Sequence, residues 1–146
     1  IRDRDWMPQE YDIISTALIS ENYAYIGGRS EELDAYIVKA YDMEGNHLLT
    51  FGEKGKDGDD WIAYVSQIME IPEGFFGIDA NMRDLYIWGP DASVLGSVEA
   101  PDLFGARYAW IAGAAKQDDG SILVALTQDR DDDSATELLL YRLSGF

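Results

Sequence analysis

The chain has 146 residues, enough for one ordinary domain with a real core, and its 47% hydrophobic and 27% charged residues are the balance of a globular protein. Its 28 acidic side chains against 11 basic ones give a net charge of −17, which leaves no basic field for nucleic acid and disfavours an anionic membrane surface. Cysteine is absent, which excludes disulfides and thiolate metal sites.

No apolar run approaches the roughly 20 residues that span a bilayer, and no signal peptide is present. The sequence opens on Ile1-Arg2-Asp3-Arg4-Asp5 rather than on Met, as after trimming, so a removed leader or anchor stays open. Short alternating runs separated by turn residues predict strands throughout. Asp12 to Ser20 is the first, closed by Ser20-Glu21-Asn22. Tyr23 to Arg29 follows, with Gly27 and Gly28 inside it as a bulge or a site of close sheet packing. Ala35 to Tyr41 is the third, and the turn Asp42-Met43-Glu44-Gly45-Asn46 leads into the fourth, His47 to Phe51. A polar, glycine-punctuated connection runs from Gly52 to Asp60.

The same order then recurs. Ile62 to Ile71, Phe75 to Asp79, Leu85 to Trp88 and Val94 to Val98 form a second set, with turns at Pro72-Glu73-Gly74 and Gly89-Pro90-Asp91-Ala92. Tyr108 to Ala115, Ser121 to Thr127 and Thr136 to Leu143 form a third set, and a helical turn fits between Pro101 and Ala115. The turn after each first strand falls at Asn22, Gly74 and Gly120, 52 and 46 residues apart. The aromatic closing each third strand falls at Tyr41, Trp88 and Tyr141, 47 and 53 residues apart. Two markers thus give one period near 50, the length of a four-stranded propeller blade. The expected fold is all-β, about three four-stranded antiparallel meanders in one β-propeller-like domain, a partial propeller or half-ring. The approximate repeats are 11–55, 61–101 and 107–146. The third lacks a fourth strand, which predicts an open edge near Leu143.

The stretch from Tyr36 to Val98 resembles the NHL-type repeats of six-bladed β-propellers. The matching pieces are Tyr41-Asp42-Met43-Glu44-Gly45, Leu48-Leu49-Thr50-Phe51-Gly52 with Gly55, Ile71-Pro72-Glu73-Gly74-Phe75-Phe76-Gly77-Ile78-Asp79, Asn81, Arg83, and Tyr86-Ile87-Trp88. The second turn departs by placing Ala92 where the first has Gly45, and the third round matches poorly. The resemblance implies an extracytoplasmic or cell-surface protein of the bacterial propeller kind, and says nothing about its ligand. Fewer than three blades are present. A piece of a longer protein, two chains closing one ring, and an irregular β domain that only imitates blades all stay open. An exposed edge and apolar sheet face would favour self-association, or pairing with a missing part of the propeller.

Four aromatics lead into predicted first strands and are the candidate ligand-binding residues: Trp61, Tyr64, Tyr108 and Trp110. Packing between blades is the competing role for each. The loop Asp129-x-Asp131-x-Asp133 begins like a calcium loop, but Ser134 stands where that loop needs Gly and Leu140 where it needs Glu. A solvated charge run reads better there, and likewise at Asp57, Asp59 and Asp60. His47 is the only histidine and follows a turn, with no nucleophile motif beside it. No cofactor motif is present. By analogy with the propeller fold that the chain resembles, the expected function is a non-catalytic binding or scaffold module for a protein, peptide or carbohydrate. The alternative is an extracytoplasmic hydrolase or lyase with carboxylates gathered at the propeller channel, and a third reading is an oligomer-forming structural domain. An enzyme would bring two or more carboxylates and a basic or polar partner into one pocket. A binder would present an apolar or aromatic surface.

Overall fold

The computed structural model describes residues 13–52, 61–81, 84–105, 109–129 and 136–145. The architecture is three antiparallel sheets of four, four and three strands, none closed into a barrel. The chain divides into two compact units, Ile1–Val65 and Ser66–Phe146.

The first unit holds one meander, β1 (Ile13–Ile19), β2 (Ala24–Ser30), β3 (Ala35–Tyr41) and β4 (His47–Phe51), paired in chain order. Both faces of β2 and β3 are largely buried, which is why their apolar residues do not simply alternate with polar ones. The expected irregularity at Gly27-Gly28 is present in both forms. The β1–β2 register slips between Ile14 and Thr16, opposite Gly28 and Gly27. A Cβ on Gly27 would collide with the Tyr36 hydroxyl, which donates to Thr16 Oγ1 at 3.0 Å. The strand predicted to begin at Ile62 starts later, as β5 (Val65–Ile71). Ile62 instead makes an isolated antiparallel bridge with Tyr36 and is fully buried.

The second unit carries the rest of β5, then β6 (Gly74–Asp79), β7 (Asp84–Trp88) and β8 (Val94–Glu99), again in chain order. A short helix, α1 (Ala100–Phe104), takes up the expected helical turn. Pro101 opens it, where a missing N–H costs nothing, and Gly105 closes it in the left-handed region at φ 65°. The last sheet is β9 (Ala109–Lys116), β10 (Ile122–Asp129) and β11 (Thr136–Leu143), in the order β11-β10-β9.

Sheets from different repeats are built alike. Ser15 on β1 and Ser66 on β5 each donate from the hydroxyl to a carbonyl of the next strand, Gly27 and Ile78, both 12 residues on. The turns β3–β4, β7–β8 and β9–β10 share one hydrogen-bond pair: Asp42 N–H to Asn46 O, Gly89 N–H to Ser93 O and Gln117 N–H to Ser121 O, each with a second bond back across the turn. The left-handed position is filled by Gly45, Ala92 and Gly120 respectively. Ala92 therefore adopts a positive φ, 62°, as the two glycines do, despite its Cβ.

The core of the second unit lies between its two sheets. Ile71, Phe76, Ile78 and Leu85 from β5–β7 meet Ile122, Val124 and Leu126 from β10, with Ala100 of α1 among them. The three β10 side chains have no exposed surface, and burial of this kind stabilises by about 1.5–3 kcal/mol per side chain. The first strands are also tied: Gln67 Oε1 accepts the Ala114 N–H at 2.6 Å, and Lys116 Nζ donates to the Glu70 carbonyl at 2.8 Å.

Candidate functional site

Of the four aromatic candidates, Trp61 and Tyr64 lie in the first unit and Trp110 in the second. Trp61 is 38% exposed and lines a shallow cleft of about 300 Å³ with Arg29, Asp34, Ala35, Tyr36, Ile62 and Ala63. Arg29 and Asp34 form an ion pair on its wall. Tyr64 is half-buried and packs its ring 6.2 Å from that of Tyr36, the residue that also borders the cleft. Trp61 and Tyr64 are thus gathered around Tyr36, Trp61 towards solvent and Tyr64 as packing. Trp110 belongs to β9 in the other unit, 55% exposed. Tyr108 lies outside the described residues, as do Asp131, Asp133, Asp57, Asp59 and Asp60. Asp129 ends β10, its backbone in register with Thr136. Among the described residues no three His, Cys, Asp or Glu side chains gather as metal ligands.

His47 is exposed at the start of β4. Its Nε2 lies 3.0 Å from the Leu49 carbonyl and 3.0 Å from Thr50 Oγ1. A carbonyl only accepts, so Nε2 carries a proton and holds the ring against its own strand. A polar cleft of about 260 Å³ adjoins it, with Lys39, Ser30, Thr50 and a single carboxylate, Glu32.

The acidic side chains with lowered pKa values serve turns. Asp42 accepts from the Asn46 side chain and from the Asn46 and Glu44 N–H groups, and this holds its carboxyl below the usual value. Asp91 accepts from the Ser93 hydroxyl and N–H, and Asp119 from the Ser121 hydroxyl and N–H, with the same effect. The nearby Arg142 guanidinium adds to the lowering at Asp119. Burial pushes the Tyr41 phenol up.

The larger concavity is elsewhere. A groove of about 520 Å³ opens on the second unit between β6–β8 and the end of β11. It is lined by Phe76, Leu85, Ile87 and Val98 from β6–β8, by Leu103 from α1, and by Leu143 at the end of β11 with Ser144 just after it. Its one charged lining residue is Arg142, whose guanidinium donates to Asp119 Oδ2 at 2.8 Å and to Ser121 Oγ at 3.1 Å. The sequence marks the Leu143 end of this groove as an open edge. The remaining lining residues look in sequence like ordinary strand core, and only Leu103, set between Asp102 and Phe104 on a one-turn helix, carries a local hint. No protein-family model matches the chain, and the search of curated proteins returned no match.

Proposed function

We propose that this chain is a non-catalytic binding module built from propeller-type blades, and that it holds a protein or peptide ligand in the groove between β8, α1 and β11. The observation that supports this reading is the groove's lining. It is the largest of the concavities described above, and six of its side chains are apolar. Its only charge is a guanidinium already tied to Asp119. Apolar walls with few polar groups suit recognition by burial rather than proton transfer or hydrolysis. Membership of the NHL-type repeats, and the extracytoplasmic setting that goes with it, belong to this same proposal. They rest on the glycine, proline and aromatic pattern from Tyr36 to Val98.

An environment-sensitive apolar dye tests the groove. Val98 and Leu103 are 37% and 42% exposed, so they can be changed without opening the core. Val98→Lys combined with Leu103→Lys is expected to weaken dye binding by about tenfold or more, the equivalent of about 1.4 kcal/mol. Dye binding of unchanged affinity in a folded double variant would remove the groove as the site.

A further inference from the structure

We propose that the polar cleft beside His47 binds a small zwitterion of the amino acid type, one carboxylate and one ammonium on a short frame. The cleft shares no lining residue with the apolar groove and stands or falls without it. Three strands of the first unit build it. Lys39 on β3 is in register with Thr50 on β4, and cross-strand partners share a face of the sheet. Ser30 ends β2, and Glu32 follows in the turn to β3. At about 260 Å³ the cleft falls below the roughly 300 Å³ at which drug-sized pockets begin, so its ligand is small.

The unused hydrogen-bonding capacity of its hydroxyls is of the donor kind. Ser30 is only 6% exposed, and its Oγ accepts the Leu33 N–H at 3.4 Å. Among the described residues that hydroxyl gives its own proton to no acceptor. A buried donor left in this way costs free energy that a ligand oxygen would recover. Thr50 is in the same position, for a reason set by His47. The ring Nε2 carries a proton and lies 3.0 Å from Thr50 Oγ1, so Thr50 accepts there and cannot donate back. No described residue takes the Thr50 proton either. The His47 ring is itself packed 5.6 Å from that of Tyr41. Lys39 adds a positive charge to the same wall. Two hydroxyl donors beside an ammonium match a carboxylate.

Charge decides what else the ligand carries. A net charge of −17 repels a simple anion at long range, and the cleft holds a carboxylate of its own, Glu32. Glu32 is exposed and makes no ion pair or hydrogen bond with a described residue. A zwitterion has no net charge for the field to repel, and it brings an ammonium to Glu32 together with a carboxylate to the donors. Ile37, 3% exposed, and Leu33, 39% exposed, give the cleft an apolar side for a short alkyl group.

The probe is L-alanine, titrated into the full chain and followed by NMR at the backbone amides of Ser30, Leu33 and Thr50. Acetate, ethylammonium and inorganic phosphate are the comparison ligands. Expected is a saturable shift of these amides with alanine, and binding weaker by about tenfold or more for each of the others, because each lacks one of the two charge-assisted contacts. Glu32 is exposed, so Glu32→Gln tests its part without touching the core, and it should weaken alanine about tenfold while leaving acetate no weaker. Ser30→Ala with Thr50→Val should weaken alanine and acetate alike, and Thr50→Val alone, which removes only a hydroxyl, serves if the double variant does not fold. No saturable shift with alanine overturns the site. Acetate or phosphate binding as tightly as alanine, or alanine binding unchanged in folded Glu32→Gln, overturns the zwitterion. Alanine affinity unchanged in folded Thr50→Val overturns the donor wall.

Discussion

Replacing glycine by alanine at two strand positions of the second unit should shift stability in opposite directions. A Cβ built on Gly77 falls onto the six-membered ring of Trp88, in contact with Cζ3 and Cη2 and 3.3 Å from Cε3. That ring has no room to retreat. Trp88 is fully buried and lies flat against Tyr86, ring centroids 5.1 Å apart and planes 5° from parallel. Overpacking of this kind costs about 1–3 kcal/mol. The alanine also restricts the unfolded chain, which returns about 0.4–1 kcal/mol. Gly77→Ala should therefore lose up to about 2.6 kcal/mol, about 1.3 kcal/mol at mid-range. A Cβ on Gly113 in β9 meets nothing within 4 Å, so only the second effect acts, and Gly113→Ala should gain about 0.4–1 kcal/mol. Urea unfolding followed by tryptophan fluorescence measures both, with an unchanged slope required for the comparison. Both variants shifting in the same direction, or Gly77→Ala matching the parent, would refute the packing argument.

Gln67→Leu should cost about 1–3 kcal/mol, because the Ala114 N–H loses its 2.6 Å acceptor, and the Ala114 amide should exchange faster by NMR. Tyr36→Phe should cost about 1 kcal/mol through loss of the 3.0 Å hydrogen bond to Thr16, read as a lower urea midpoint. Asp91 and Asp119 have folded pKa values below the ordinary 3.8, so the stability they contribute is complete above that value and is lost as pH falls through the lower folded ones. Asp91→Asn with Asp119→Asn keeps an oxygen for the serine N–H but removes the titration. The stability gap between parent and double variant at pH 6 should shrink at pH 3, and a gap of equal size at both would show that these carboxylates are not linked to folding.

The fold was legible where turn chemistry brackets a run of apolar residues. Ala35–Tyr41, His47–Phe51 and Thr136–Leu143 begin and end where the sequence places them. The first two are bracketed by Asp42 and Gly45, whose side-chain acceptor and positive φ specify the hairpin between them. Ala92 shows why the second turn looked irregular in sequence: its hydrogen bonds repeat those of Gly45, and the surrounding hairpin imposes the left-handed φ on a residue that does not advertise it. Ile62 was misread as strand because a buried isoleucine followed by alternating residues has the period of a strand, whether its backbone pairs along a ladder or at a single bridge.

The groove was legible only in part, for a different reason. Alternation along β11 says which side chains share a face: Leu139, Tyr141 and Leu143 on one, Leu138, Leu140 and Arg142 on the other. It cannot say how deeply a face is covered, because cover comes from neighbours distant in sequence. On β3 and β7 neighbouring strands and packed residues supply it, and most apolar side chains there close to a few per cent exposure, while Tyr36 and Ile87 stay partly buried. On β11 the same kind of pattern stays half open, since its fourth neighbour is not among the described strands. At the groove Phe76, Leu85, Ile87, Val98 and Leu103 come together with Leu143 in space although up to 67 residues separate them from it in the chain. An apolar side chain that is only partly covered has more to gain from further burial than one already sealed, which is why the half-buried lining of this groove, and not the sealed core, is where a change of cover would shift the energy most.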